Sequence, residues 1–223
     1  MIETRADTAA SRTTTRRVPV QRRSRERVER ILDAAAELVI DEGVARLTTL
    51  AVAARSGVPA ASIYQYFADR DEIVLALVER DVAEMDARVA QALAALPTPS
   101  VRAVVEATMR AFVSVYHHRP SFVVIWWRGR TNAAVVEFCR AHNRRMAMLL
   151  YEFASAAGLL RPGTSPRIVE LAVEVGDRVF EMAFAHDLRG DEALINEGID
   201  LLTGYLERHA TPAGRADIGV TLT

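Results

Sequence analysis

The chain contains no lysine: all 28 of its basic residues are arginine. That absence excludes a phosphate-loop lysine and a Schiff-base nucleophile. GC-rich codon usage is the plain explanation for it. Cysteine is nearly missing too. Cys139 stands alone, which rules out an intrachain disulfide and fits a reducing cytoplasm. The N-terminus is polar and arginine-rich without an apolar run, so no secretory leader is expected. No uncharged apolar stretch is long enough for a transmembrane helix, so no membrane partner is expected. No segment alternates convincingly between apolar and polar residues, which leaves no candidate strand.

Several catalytic signatures are also absent. There is no Glu-x-x-His pair for a carboxylate-bridged metal bundle, and no Gly-x-Gly-x-x-Gly, Gly-x-Ser-x-Gly or His-Glu-x-x-His. His117 and His118 are neighbours and diverge. Cys139 and His142 share a helix face, but two ligands do not make a zinc site. The reading is therefore of a protein that is not an enzyme and carries neither metal nor cofactor.

What is present is a chain of 223 residues, half of them hydrophobic, enough for one large or two small helical domains. Charge is unevenly spread. Residues 1–70 carry 12 arginines against 9 acids, and the remainder 16 against 20. The basic part is also the part with the strongest motif.

Between Gly43 and Ile73 the chain reads GVARLTTLAVAARSGVPAASIYQYFADRDEI. Two short helical patterns flank a Ser56-Gly57-Val58 turn. Thr48 can cap the first helix, Gly57 supplies a positive φ at its end, and Pro59 sits near the start of the second. Ile63 and Phe67, four apart, would pack the second helix onto its domain. Ala60, Ala61 and Ser62 are small enough to let the front of that helix approach DNA. Tyr64, Tyr66 and Arg70 offer phosphate contacts. This is the layout of a helix-turn-helix.

From about Arg25 to Ile73 the sequence resembles the DNA-binding domain of the TetR family of bacterial transcriptional regulators. The resemblance rests on the lead-in helix, the Ala-x-x-Ser-Gly-Val turn, the Tyr-x-Tyr-Phe end and the charged hinge Phe67–Glu72. It implies an all-α cytoplasmic homodimer, with a three-helix DNA-binding domain and a helical C-terminal ligand-binding and dimerisation domain. It also implies a double-stranded DNA operator and a small-molecule effector as partners. The DNA-contact residues implied are Thr48, Thr49, Pro59, Ala60, Ala61, Ser62, Tyr64, Gln65, Tyr66 and Arg70. Pro59 replaces a frequent serine and Ala60 a frequent basic residue, which moves weight from direct base contacts to DNA shape.

The chain divides into a disordered basic arm over 1–22, the helix-turn-helix domain over 23–70, the helical domain over 71–209 and a loose tail over 210–223. Helices are expected from Ser24 to Asp41, from Asp69–Asp71 to Leu96, from Ser100 to His118, over Phe122–Trp127, from Thr131 to Ala157, from Ser165 to Asp187, and from Asp191 to His209. Candidate ligand-binding residues are Met109, Phe112, Tyr116, Phe122, Trp126, Trp127, Phe138, His142, Met146, Glu174 and Asp177. Cys139 lies among them on the middle helices. Adjacent tryptophans point about 100° apart, so at most one faces a cavity squarely. Glu170, Glu174, Asp177 and Glu181 form an acidic stripe, read either as a lure for a cationic ligand or as a solvated face paired with Arg144 and Arg145. The function implied is a ligand-released repressor on a palindromic operator. The alternatives are an all-helical enzyme or a ligand-blind DNA-binding protein.

Overall fold

The computed structural model describes residues 17–128 and 132–215, and those residues form helices without a strand. α1 spans Arg17–Glu42 and buries Ile31, Leu32, Ala35, Leu38 and Val39 along one stripe. It begins earlier than expected, so residues 17–22 of the expected arm are helical, while residues 1–16 lie outside the described part. A 3₁₀ turn over Val44–Arg46 leads to α2 (Thr49–Ser56) and α3 (Ala60–Ile63). These pack as one small body, with Leu47, Val52, Val58, Ile63 and Phe67 buried.

α4 runs over Arg70–Ala94. Asp69 accepts from the Glu72 N–H at 3.0 Å, and Glu72 Oε2 accepts from the Ala68 N–H at 2.7 Å. This reciprocal cap starts the helix sharply after the hinge. Ile73, Val74, Leu77, Val78, Val82, Met85, Val89 and Leu93 are its buried stripe, as the periodicity predicts. α4 packs on α1 on one side and on α5 and α7 on the other, and so belongs to both halves.

α5 (Val101–His118) is capped by Ser100, α7 (Ala133–Ala156) by Asn132, α8 (Pro166–Ala183) by Ser165, and α9 (Glu192–Glu207) by Asp191. Each cap satisfies an orphan N–H at a helix start, worth about 1 kcal/mol. The expected helix over Phe122–Trp127 is instead a single α turn, α6 (Pro120–Val123), running into a π turn over Val124–Arg128.

The tail is also corrected. Ala210 bridges Leu160, the Thr211 N–H donates to the Leu159 carbonyl at 2.9 Å, and the Val101 N–H donates to the Gly214 carbonyl at 2.8 Å. Residues 210–215 therefore close one end of the helical domain, and residues 216–223 lie outside the described part. The sequence offered no apolar period there because the segment is held by backbone hydrogen bonds.

Candidate nucleic-acid interface and its link to a buried cavity

Thr48 sits in extended backbone at φ −136°, and its hydroxyl oxygen accepts from the Ala51 N–H at 3.0 Å. Gly57 ends α2 at φ 67°, in the left-handed region that an L side chain enters only at a cost of about 1–2 kcal/mol. Pro59 holds the capping position of α3, and its carbonyl accepts from the Ser62 and Ile63 N–H groups. Ile63 and Phe67 are buried beneath. That anchoring turns Thr48, Pro59, Ala61, Tyr64 and Gln65 outward as exposed side chains, with Ala60 and Ser62 half-buried between them. Tyr64 is 55% exposed, a large aromatic ring left in solvent at the helix tip.

Three candidate contacts sit differently from expectation. Thr49 follows the cap into the first turn and is buried, so Thr48 alone presents a hydroxyl there. Tyr66 is half-buried, and its oxygen accepts from the Ser24 hydroxyl at 3.3 Å. That bond, with the nearby Arg27 charge, holds the phenol below its usual range. Tyr66 thus joins the end of α3 to α1. Arg70, the first residue of α4, is half-exposed and pairs with Asp71 at 3.2 Å. Arg55, on α2, faces away from this surface and reaches Asp41 at 3.1 Å and Glu37 at 3.3 Å on α1.

The Ser24–Tyr66 contact places the start of α1 beside α3. Arg22, Arg23, Arg25 and Arg30 are exposed there. Arg25 and Arg30 were missed as site residues, although five arginines within residues 22–30 were visible in the sequence. A basic flank of this kind is what phosphate binding needs.

A charged joint sits on α4 behind this face. Arg80 reaches Asp33 at 2.8 Å and Glu29 at 3.3 Å on α1, and the neighbouring Asp81 at 3.3 Å. Arg119, between α5 and α6, reaches Glu84 at 2.9 Å and Asp81 at 3.7 Å. Asp81 is fully buried, and desolvation pushes its carboxyl up to about 6 against the pull of Arg80 and Arg119. Further along α4, Asp86 bonds the buried His142 of α7 at 2.8 Å. α4 is thereby tied by polar contacts to α1, to the end of α5 and to α7.

A cavity of about 90 Å³, partly open to solvent, lies between α5, α7, α8 and α9. Of the candidate ligand residues it is lined by Met109, Phe112, Met146 and Asp177. It is also lined by Thr108, Asn143, Gly176 and the α9 leucines Leu202 and Leu206, which sequence reasoning missed. Helical period shows that such residues point inward, not that space is left beside them.

The remaining candidates lie elsewhere. Tyr116, Phe122, Trp126 and Trp127 pack beside the cavity as an aromatic cluster with Phe180 and Phe184. Tyr116 stacks on Phe122 at 5.7 Å and meets Trp127 edge-on at 5.0 Å. Burial raises the Tyr116 phenol well above its usual range, with the Asp177 charge adding to it. The two tryptophans diverge as expected. Trp126 donates its indole N–H to Asp177 at 3.0 Å, and Trp127 stacks on Phe184 at 5.8 Å. Phe138 lies under the Arg145 guanidinium at 5.8 Å. His142 is held by Asp86, and the exposed Glu174 accepts from the Asn143 amide at 3.3 Å. The acidic stripe is thus divided. Glu170 and Glu174 are exposed, Glu181 pairs with Arg178, and only Asp177 reaches the cavity. Arg144 pairs with Glu137 rather than with the stripe.

Residues 31–77 match a family model described as bacterial regulatory proteins of the tetR family, and residues 100–206 match a tetracyclin repressor-like C-terminal domain. The fold is similar to that of a TetR-family transcriptional regulator from Streptomyces coelicolor. That protein is 28% identical, with a TM-score of 0.67 over 82% of this chain and 99% of that one. It is similar as well to the fatty acid degradation regulator FadR from Bacillus halodurans, at 17% identity and TM-score 0.69 over 82% and 97% of the two chains. A third is the ketosteroid transcriptional regulator KstR2 of Mycobacterium tuberculosis, at 18% identity and TM-score 0.53 over 83% and 95%. No curated protein matches the chain. Among the described residues no helix is long and apolar enough to cross a membrane.

Proposed function

Since the chain belongs to the TetR family of bacterial transcriptional regulators, DNA-binding proteins rather than enzymes, we propose that it is a homodimeric repressor. It sits on a palindromic operator and is released when a small molecule fills the C-terminal cavity. The observation that carries this reading is the path between the two sites. The exposed face of α2 and α3 is fixed to α1, α1 to α4 through Arg80, and α4 to the cavity-lining α7 through His142 and Asp86. A ligand that favours one seating of α7 against α8 biases α4, and with it the spacing of the two recognition helices.

DNA contact is assigned to Thr48, Ala60, Ala61, Ser62, Tyr64 and Gln65 at the groove, with Pro59 at its edge. Arg70 and the exposed arginines of α1 are assigned to phosphates. Tyr66 acts by positioning α3, and Thr49 through the core. The two-fold contact is assigned to the outer faces of α8 and α9. There Leu171, Met182 and Leu201 stand 53%, 50% and 57% exposed, apolar side chains that a partner helix pair would cover.

The test is a gel-shift titration against palindromes from the protein's own upstream region at several salt concentrations. Wild type is expected to prefer one duplex over random DNA with a steep salt dependence, and Tyr64→Ala to lose about tenfold or more in affinity. Equal binding to every duplex, or none, would remove the reading.

A further inference from the structure

We propose that the cavity takes a slim, uncharged, mostly apolar molecule with one hydrogen-bonding oxygen at its end, such as a medium-chain alcohol, ketone or ester. This rests on the reading that the C-terminal domain holds the effector.

The shape is the first argument. The lining runs from Val101 to Phe112 on α5, from Asn143 to Ala154 on α7 and from Val169 to Phe180 on α8. Each stretch advances eleven residues, which at 1.5 Å per residue is about 16 Å. A space of about 90 Å³ spread over that length is narrow, yet several times the ~10–15 Å³ that one water needs. It admits a chain rather than a fused ring system. Gly176 widens it beside Met109 and Leu202. A Cβ there would meet Leu202 Cδ1 at 3.4 Å and Met109 Sδ at 3.8 Å.

Polarity is the second argument, and it is confined to one end. Ala154 and Val169 are joined by the short α7–α8 connection, and Val101 is bonded to the Gly214 segment that packs on Leu159, so these residues share the apolar end. Thr108, Asn143 and Asp177 lie toward the other end, near Phe112 and Phe180. Thr108 Oγ1 is buried without a hydrogen-bond partner. Asn143 donates to Glu174, and its carbonyl oxygen remains to accept. A hydroxyl or carbonyl oxygen on the ligand satisfies the Thr108 hydroxyl, and burial makes that bond valuable.

Charge is the third argument. Among the described residues, none that lines the cavity is basic, and the single acid, Asp177, already accepts the Trp126 indole N–H. A carboxylate ligand would be desolvated beside the Asp177 carboxylate, with no counter-ion among the described lining residues. An ammonium would be desolvated against a carboxylate already engaged.

The experiment titrates the full chain with octanol, octanoate and octylammonium, by calorimetry and by thermal unfolding. Octanol is expected to bind saturably and raise Tm, with both ions weaker by roughly tenfold or more. Thr108→Val keeps the shape and removes the hydroxyl. It is expected to weaken octanol by roughly 3–10-fold without lowering the Tm of the free protein. Gly176→Val is expected to abolish binding. If that variant lacks a cooperative melt, Ala172→Leu fills the same slot one turn away. An ion binding as tightly as octanol, and blocked by the filling variant, overturns the ligand class but leaves the cavity as the effector site. Unchanged octanol affinity in Thr108→Val overturns the assigned polar end. No saturable binding by any probe, or octanol binding that survives filling, overturns both the ligand class and the effector site.

Discussion

Asp81 gives the sharpest quantitative test of the joint behind the DNA-binding face. Its carboxyl is fully buried, one of its oxygens lacks a hydrogen-bond partner, and desolvation moves its pKa from 3.8 to about 6 in the folded protein. The folded state therefore holds a proton more tightly than the unfolded chain does. Between about pH 4 and pH 6 the native form binds more protons, so stability from this group falls as pH rises and levels off above about 6. A shift of about 2 pH units corresponds to about 3 kcal/mol. Asp81→Asn removes the titration and keeps an oxygen that can accept from Arg80. Its amide leaves a buried donor in place of a buried acceptor, so the offset between the two proteins is small and of either sign.

The slope is what decides. The stability of Asp81→Asn minus that of wild type is expected to rise by about 2 kcal/mol from pH 4 to pH 6.5, the rest of the change falling outside that range. Carboxylates away from this network titrate in both proteins and cancel in the difference, whereas Glu84 shares Arg119 with Asp81 and is replaced by Gln in both proteins for the comparison. The assay is urea unfolding across that range at one fixed protomer concentration, because a dimer's stability depends on concentration. A difference that stays flat, or that falls with pH, refutes the burial argument for Asp81.

Gly57→Ala places a Cβ in the left-handed turn of the helix-turn-helix, where nothing else crowds it. A loss of about 1–2 kcal/mol is expected in thermal unfolding, with operator affinity reduced as α3 is mis-set. Leu201→Glu puts a charge on the exposed face of α9 and is expected to give monomer in sedimentation at micromolar concentration. A variant that stays dimeric moves the two-fold contact elsewhere. Gly214→Val cannot be accommodated in place, since its Cβ would fall on the Leu159 backbone. Hydrogen exchange is expected to show lost protection at Leu159 and Thr211 while α4 is unchanged. Protection retained at both would mean that the tail is not held as described.

Local physics made much of the fold legible in advance. Thr48, Ser100, Ser165 and Asp191 signal helix starts from the sequence, and each accepts a backbone N–H where expected. The place of Gly57 between two periodic segments predicts a left-handed terminus, and its φ of 67° agrees. These signals depend on residues within one turn of each other, so one sequence carries them. The site was less legible where a side chain's role depends on a distant element. Tyr66 looks like Tyr64 in sequence, two positions away, yet Ser24 on α1 captures one and leaves the other in solvent. The middle aromatics share a period with Met109 and Phe112, but only the packing of α8 decides that Tyr116 meets Phe180 edge-on away from the cavity while Phe112 stacks on Phe180 and borders it.

The sequence by itself determined an all-helical chain and a helix-turn-helix with a small-residue front, and it carries no lysine. Periodicity, caps and turn glycines are sums of short-range preferences, and they survive without knowledge of what packs against what. Tertiary structure alone decided which face of each helix meets space, charge or another helix. It buried Thr49, set Asp81 between two arginines, drew Thr211 and Gly214 onto Leu159 and left a narrow slot with a lone hydroxyl near one end. Those outcomes are set by neighbours far apart in the chain, and no local spacing encodes the distance between them.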